Sequence, residues 1–439
     1  MTRRESQDGA TLVPTHPAGA DALIVHEKAV MRSLKFPIVL DVFAVIALIL
    51  AFALPRSGTS TFSLSTAKDL FQIPPIPVPT VATVIAVAIL LVALAVLAHL
   101  YVARSASGRV PLWLTTVFAL LFLFAFLAWA SAGKTIPVPG LLVGSLALST
   151  PLIFGALGGV ISERVGVVNV AIEGQLLGGA FTGAVVGSIT HSPWAGLIAA
   201  MVAGVLVAML LAVFSIRYVV DQVIVGVVLN VLVTGLTSFF YSKVLAADQS
   251  LNHPVRFTKL PIPGLSEIPI IGPVFFQQTI IVYLMYVAVI AVWFGLFKTR
   301  WGLRLRSVGE HPTAADTVGI NVNRTRFWNV SIAGAIAGIG GAYFTLDSVG
   351  TFSKEMTNGA GFIALAAVIF GRWDPIRATL AGLMFGFATN LQYQLASIGS
   401  PVPSEFLLML PYVVTILAVA GFVGQVRGPA AANKPYIKS

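Results

Sequence analysis

The sequence predicts an all-α, polytopic transmembrane helical bundle. The 439 residues are 57% hydrophobic and only 10% charged, whereas a soluble domain carries roughly 25% charged residues. The apolar residues fall into about 12 runs, most of them near the ~20 residues needed to cross a bilayer core. Cysteine is absent, which removes a disulfide framework, a zinc–thiolate site and an iron–sulfur cluster from consideration. A net charge of +10 could signal a nucleic-acid partner. In a membrane chain the same excess is expected from basic cytoplasmic loops, so no nucleic-acid partner is expected.

Residues 1–35 are polar and of mixed charge. They lack the apolar core and cleavage site of a signal peptide and predict a disordered cytoplasmic arm. The apolar segments then run over 36–54, 80–103, 111–130, 141–161, 168–189, 195–216, 220–243, 279–297, 328–347, 359–371, 376–398 and 405–424. The tenth is too short to span easily and predicts a half-helix, tolerated only inside protein. The first three, within 36–135, lack the Gly-rich texture of the later segments and read as extra N-terminal helices. Residues 136–425 form the core, and 426–439 a short basic tail. With the N-terminus inside and sides alternating, the inner segments hold 20 of the 27 Lys and Arg and the outer segments 7. That bias puts both termini and the loop at 298–327 in the cytoplasm.

The expected outer loops at 55–79 and 246–278 are Pro-rich and predict stiff, non-helical excursions. They could cap an outer mouth, dock a partner or serve only as linkers. Span four carries Pro151 followed by Gly155, Gly158 and Gly159, which predicts a kink and close packing. The Gly-rich texture of 141–190 and 330–390 fits an inverted duplication, although no repeat can be read directly.

Polar residues recur at helical spacing on two spans. Gln222, Gly226, Asn230, Thr234, Thr237 and Tyr241 share one face of span seven, and Gly382, Gly386, Asn390 and Gln394 share one face of span eleven. Amides can bind sugar hydroxyls or a base edge without charge. They can equally bond across helices whose small residues pack closely. Glu173, one turn after Asn169 and with Gln175 beside it, lies about two turns inside span five, and an intramembrane carboxylate is a functional candidate by default. It reads as a structural or gating residue rather than a proton carrier, with Arg164 or a facing hydroxyl as partner. The histidines show no metal-ligand spacing, and no metal site is expected.

The loop at 302–320 reads GLRLRSVGEHPTAADTVGI. Arg300, Arg304 and Arg306 anchor it at an anionic leaflet. Pro312 can open a helix, because its missing amide is an orphan there anyway. Gly319 can close it. The product is a helix of about two turns over Thr313–Val318, which needs tertiary support.

This loop resembles the coupling-helix loop of permease subunits of bacterial ABC importers, in the ribose, nucleoside and branched-chain amino-acid permease superfamily. Three further stretches carry the resemblance: Ser162–Gln175 (SERVGVVNVAIEGQ), Asp221–Gly235 (DQVIVGVVLNVLVTG) and Gly361–Pro375 (GFIALAAVIFGRWDP). It covers residues 140–424 and is most similar to the nucleoside type. It implies a location in the bacterial inner membrane among its lipids. It also implies a cytoplasmic ATPase that grips Gly309, Glu310, Pro312, Ala314, Ala315, Val318 and Gly319. A second permease, homologous or identical, and an extracytoplasmic substrate-binding lipoprotein would complete the system. The substrate-pathway candidates are Glu173, Gln175, Asn230, Thr234, Asn390 and Gln394.

No cofactor is expected in this chain itself. Ala130–Thr135 (ASAGKT) ends like a phosphate-binding loop, but residue 128 is Ala where that motif needs Gly. ATP is therefore expected on the partner, and the chain is not expected to be an enzyme. The favoured cargo is a nucleoside, with a ribose-like monosaccharide as the alternative. A stand-alone secondary transporter or channel is the rival from another class.

Overall fold

The computed structural model describes residues 34–67, 69–104, 110–403, 405–407, 409 and 428–437. Among these, eight helices are long and apolar enough to cross a membrane. The expected arm, apart from its last two residues, lies outside the described residues, as does most of the twelfth expected segment.

Three helices form the N-terminal group: α1 (Lys35–Leu48), α2 (Thr80–Arg104) and α3 (Leu112–Ala130). The core starts with α4 (Val138–Arg164), which runs through Pro151 as one helix, then α5 (Ile172–Ile189), α6 (Pro193–Ala212), α7 (Gln222–Phe240) and α8 (Ile280–Lys298). Two short helices come next, α9 (Arg300–Glu310) and α10 (Pro312–Thr317). The last three are α11 (Val322–Tyr343), α12 (Ala360–Phe370) and α13 (Pro375–Ser397). α1, α6, α7 and α11 each continue into a widened π turn. The expected half-helix is present as α12, with 11 residues. That is about 16 Å, roughly half a bilayer core.

The bundle is helical as expected, and the loops expected to be non-helical carry short strands. Three short strands, β1 (Thr59–Ser63), β2 (Ile76–Pro79) and β3 (Thr135–Pro137), form a sheet in the order β2-β1-β3. β1 is antiparallel to β2 and parallel to β3. A second ladder pairs β4 (Lys259–Pro261) with β5 (Gln277–Thr279). Extended loop backbone still needs hydrogen-bond partners, and short ladders supply them. Pro77 and Pro79 sit on the edge strand β2, where a missing amide costs little.

These loops share one end of the bundle. Leu70 N donates to Glu267 O at 2.7 Å, and Lys134 Nζ donates to the carbonyls of Ile398 and Gly399. Lys134 of the ASAGKT stretch is thus a brace between the N-terminal group and the end of α13. At the opposite end Arg164 Nε donates to Trp373 O at 2.9 Å, beside α9 and α10. The two are called the strand end and the α10 end below. Asp41 of α1 meets His99 of α2 at 2.8 Å, away from the strands.

The core packs as two similar halves. α4 lies against α13 and α12, and α11 lies correspondingly against α6 and α5. α4 and α11 also pack on each other. α6 and α13 each open on a proline behind a side-chain cap, Ser192 in one and Asp374 in the other. α4 runs toward the α10 end, whereas α11 starts there, so the halves are inverted. Glycines allow the contact: a methyl group on Gly204, Gly334 or Gly338 would overlap the facing helix backbone.

Candidate functional site

Two sites stand out, one at the α10 end and one inside the bundle. At the α10 end, Thr299 caps α9 by accepting from Gly302 N at 3.2 Å. α9 buries Gly302, Leu305, Val308 and Gly309, which recur at three- and four-residue spacing on one face. The sequence predicts only the later helix, and α9 is an addition to it. The apolar recurrence is the available signal, obscured by three arginines. One of those arginines has a partner inside the chain: Arg306 lies 5.2 Å from the Phe297 ring, which Arg164 of α4 also approaches at 5.8 Å.

The second short helix forms as expected. Pro312 opens α10, and Gly319 comes after it with φ +85°. Ile320 N returns to Ala315 O at 3.0 Å. The two alanines differ in role. Ala315 is 3% exposed and faces its own chain, whereas Ala314 is open to the surroundings. Val318 is 74% exposed. Gly309 is in the hinge region of the pair, and a methyl group there would overlap the Arg164 carbonyl. Glu310 accepts from Ala430 N at 3.2 Å.

Inside the bundle, residues 165–171 between α4 and α5 are not helical. Buried backbone there must find partners. Gln222 accepts from Val168 N at 2.7 Å, and Asn230 donates to Val170 O at 2.9 Å. Asn230 also accepts from Gly174 N at 2.8 Å. Asn169 and Gln175 exchange amide bonds at 3.1 and 3.3 Å. The polar stripe of α7 therefore faces inward and satisfies an interrupted helix. Among the candidates, Glu173, Gln175 and Asn230 are brought together, and Asn390 is elsewhere. Asn390 donates to Leu141 O at 2.6 Å and pins α4 to α13. Gln394 faces the junction with the N-terminal group, beside Leu127 and Ile136. Thr234 is half-buried on α7.

Glu173 stands in the first turn of α5, not two turns inside it, because the helix starts only at Ile172. Its carboxylate accepts from Thr357 Oγ1 at 2.6 Å, Gly359 N at 2.9 Å and Gly361 N at 2.6 Å. The hydroxyl partner matches expectation; the two amides are additional. They belong to the start of α12, so the N-termini of two broken helices meet at one carboxylate. The partial positive charge of both helix ends favours an anion there. Gly361 has no room for a side chain, since a methyl group would overlap the Glu173 backbone.

Some contacts left no sequence signal. Trp373 Nε1 donates to Glu163 Oε2 at 2.5 Å, joining two of the stretches that carry the family resemblance. Asp221, whose place just before a helix is itself a capping signal, caps α7 through Val223 N and Ile224 N at 2.9 and 3.0 Å. The bond from Ile224, then that from Asn433, holds the Asp221 carboxyl below the usual carboxylate range.

Comparison with known proteins agrees with this architecture. Residues 141–419 match the family described as branched-chain amino acid transport system / permease component. The chain is 42% identical over 303 residues to the guanosine ABC transporter permease protein NupQ of Bacillus subtilis, covering 67% of this chain and 95% of the relative. It is equally 42% identical over 303 residues to the nucleoside ABC transporter permease protein NupC of Lactococcus lactis, with the same coverage. The putative glucose ABC transporter permease protein TsgC13 of Haloferax volcanii is 38% identical over 261 residues, or 59% of this chain and 78% of the relative. The chain is an integral membrane protein with several apolar spans, and it belongs to this family of ABC transporter permeases.

Proposed function

We propose that this permease subunit lines the translocation pathway for a nucleoside in an ATP-driven importer of a bacterial plasma membrane. A separate ATPase engages α10 from the cytoplasm, which sets the α10 end and both termini inside. A second permease, identical or homologous, completes the pathway, and an external binding lipoprotein delivers the cargo at the strand end. The observation that carries the reading is α10 itself. It is a supported two-turn helix that presents Ala314 and a 74% exposed Val318 at the α10 end of the bundle, where an isolated helix of that length would not persist. The relatives NupQ and NupC support a nucleoside as cargo, whereas TsgC13 favours a second reading, a monosaccharide.

The test reconstitutes the permease with its ATPase and binding protein and compares ATP-dependent uptake of labelled guanosine and glucose. Guanosine uptake that requires ATP is expected. Ala314→Trp should reduce uptake per ATP hydrolysed by about tenfold, with normal membrane insertion. Ion-driven uptake by this chain alone would overturn the reading.

A further inference from the structure

Residues 428–437 lie across the α10 end and touch α7, α9, α10 and α11 together with the residues that follow α4 and α12. Ala431 N donates to Gly309 O at 2.9 Å, where α9 hands over to α10. The Ala431 carbonyl lies against Gly166, just past the end of α4. Ala430 N donates to Glu310 at 3.2 Å. Asn433 Nδ2 donates to Asp221 at the start of α7, at 3.3 Å. Tyr436 is hydrogen-bonded to Asp316 of α10. Gly428 rests on the Trp373 ring, between α12 and α13. Pro429 and Ala431 are buried, the latter at 3% exposure.

A further tie is to α11. Arg326 is 2% exposed, and its Nη1 donates to Lys434 O at 3.0 Å. Its Nε and Nη2 have no partner among the described residues. A buried guanidinium is costly unless its donors are met. Here the segment supplies the one acceptor found among the described residues, so lifting it would break that bond and exchange a defined partner for water. That makes the attached arrangement a defined state rather than a loose contact.

We propose that residues 428–437 are a positioning clasp. They fix α9 and α10 to α4, α7 and α11, so that displacement of α10 moves the bundle instead of dissipating in the loop. This rests on the reading of α10 as the ATPase-docking helix. A rigid connection transmits force only if its parts have fixed relative positions, and the clasp contacts both short helices and three long ones.

The absence of cysteine makes a direct measurement clean. Spin labels on Thr313→Cys, an exposed α10 position outside the docking residues, and Thr190→Cys, at opposite ends of the bundle, report the position of α10 in the full permease–ATPase complex. Ala431→Glu should release the clasp. It should broaden the label–label distance distribution and lower uptake per ATP by about fivefold or more. Should Ala431→Glu fail to assemble, the milder pair Asn433→Ala and Tyr436→Phe should give a smaller broadening and a smaller loss. An unchanged distribution and unchanged coupling in the variant that assembles would overturn the clasp. Ala314→Trp is run alongside. If only that variant is uncoupled, α10 docks the ATPase and the clasp fails. If Ala314→Trp is without effect, the docking reading fails, and the distance distribution still decides whether the segment holds α10.

Discussion

Glu173 is the residue on which most of the interior arrangement converges. Three donors from the segment before and at the start of α12 meet one carboxylate at the start of α5. Glu173→Gln offers one acceptor oxygen for those three donors and removes the charge favoured by two helix ends. Hydrogen bonds to a charged group contribute roughly 1.5–3 kcal/mol each, so losing one and weakening another should destabilise the protein by about 3 kcal/mol. The expected readout is a lower thermal midpoint for the purified permease in detergent, together with weakened uptake. An unchanged midpoint would mean that the bonds do not hold α12 in place. The sequence singles out Glu173 as a costly intramembrane carboxylate, but its donors are 184 to 188 residues away. Backbone amides carry no side-chain signature, which is why two of the three partners were not legible.

At the scale of elements, α7 shows how one pattern can have two meanings. The spacing of Gln222, Gly226 and Asn230 marks a polar face without saying what the face meets. In the fold it meets the non-helical backbone of residues 165–171, and Gly226 lets that backbone approach. Asn230→Ala should leave Val170 O and Gly174 N unpaired in a buried setting, at roughly 1–3 kcal/mol for each group. The loss should appear as faster amide exchange at the start of α5 with no change across α13. Equal exchange in the variant would return Asn230 to the pathway candidates. α10 and α12 were readable because proline, glycine and segment length fix their ends. α9 was not, because its three arginines mask a buried face of only four residues.

In the whole molecule, the inverted relation of α4–α6 to α11–α13 was only faintly legible as a shared glycine texture. Glycine marks where backbones approach but not which partner approaches, so the pairing of halves emerged only from the packing. Charge counting divided the loops between two faces, and the structure groups the described loops at two ends. The N-terminal group lies ahead of the region that matches the family, and it buries its apolar faces on Leu141, Leu391 and Leu395. It adds three crossings before α4. Removing α1 and α2 together should leave α10 on its proper side and preserve part of the uptake, whereas removing α1 alone should reverse it. Labelling of a single Cys at Ala314 by a membrane-impermeant maleimide distinguishes the two, and equal labelling in both would show that the core orients itself. The odd number of added helices has a consequence for threading. On the orientation proposed above, a passenger domain joined at Leu34 would be delivered on the α10 side and one joined at Pro137 would emerge on the strand side. Additions to the front of this chain must therefore come in hairpins, or else change which compartment meets the rest of the protein.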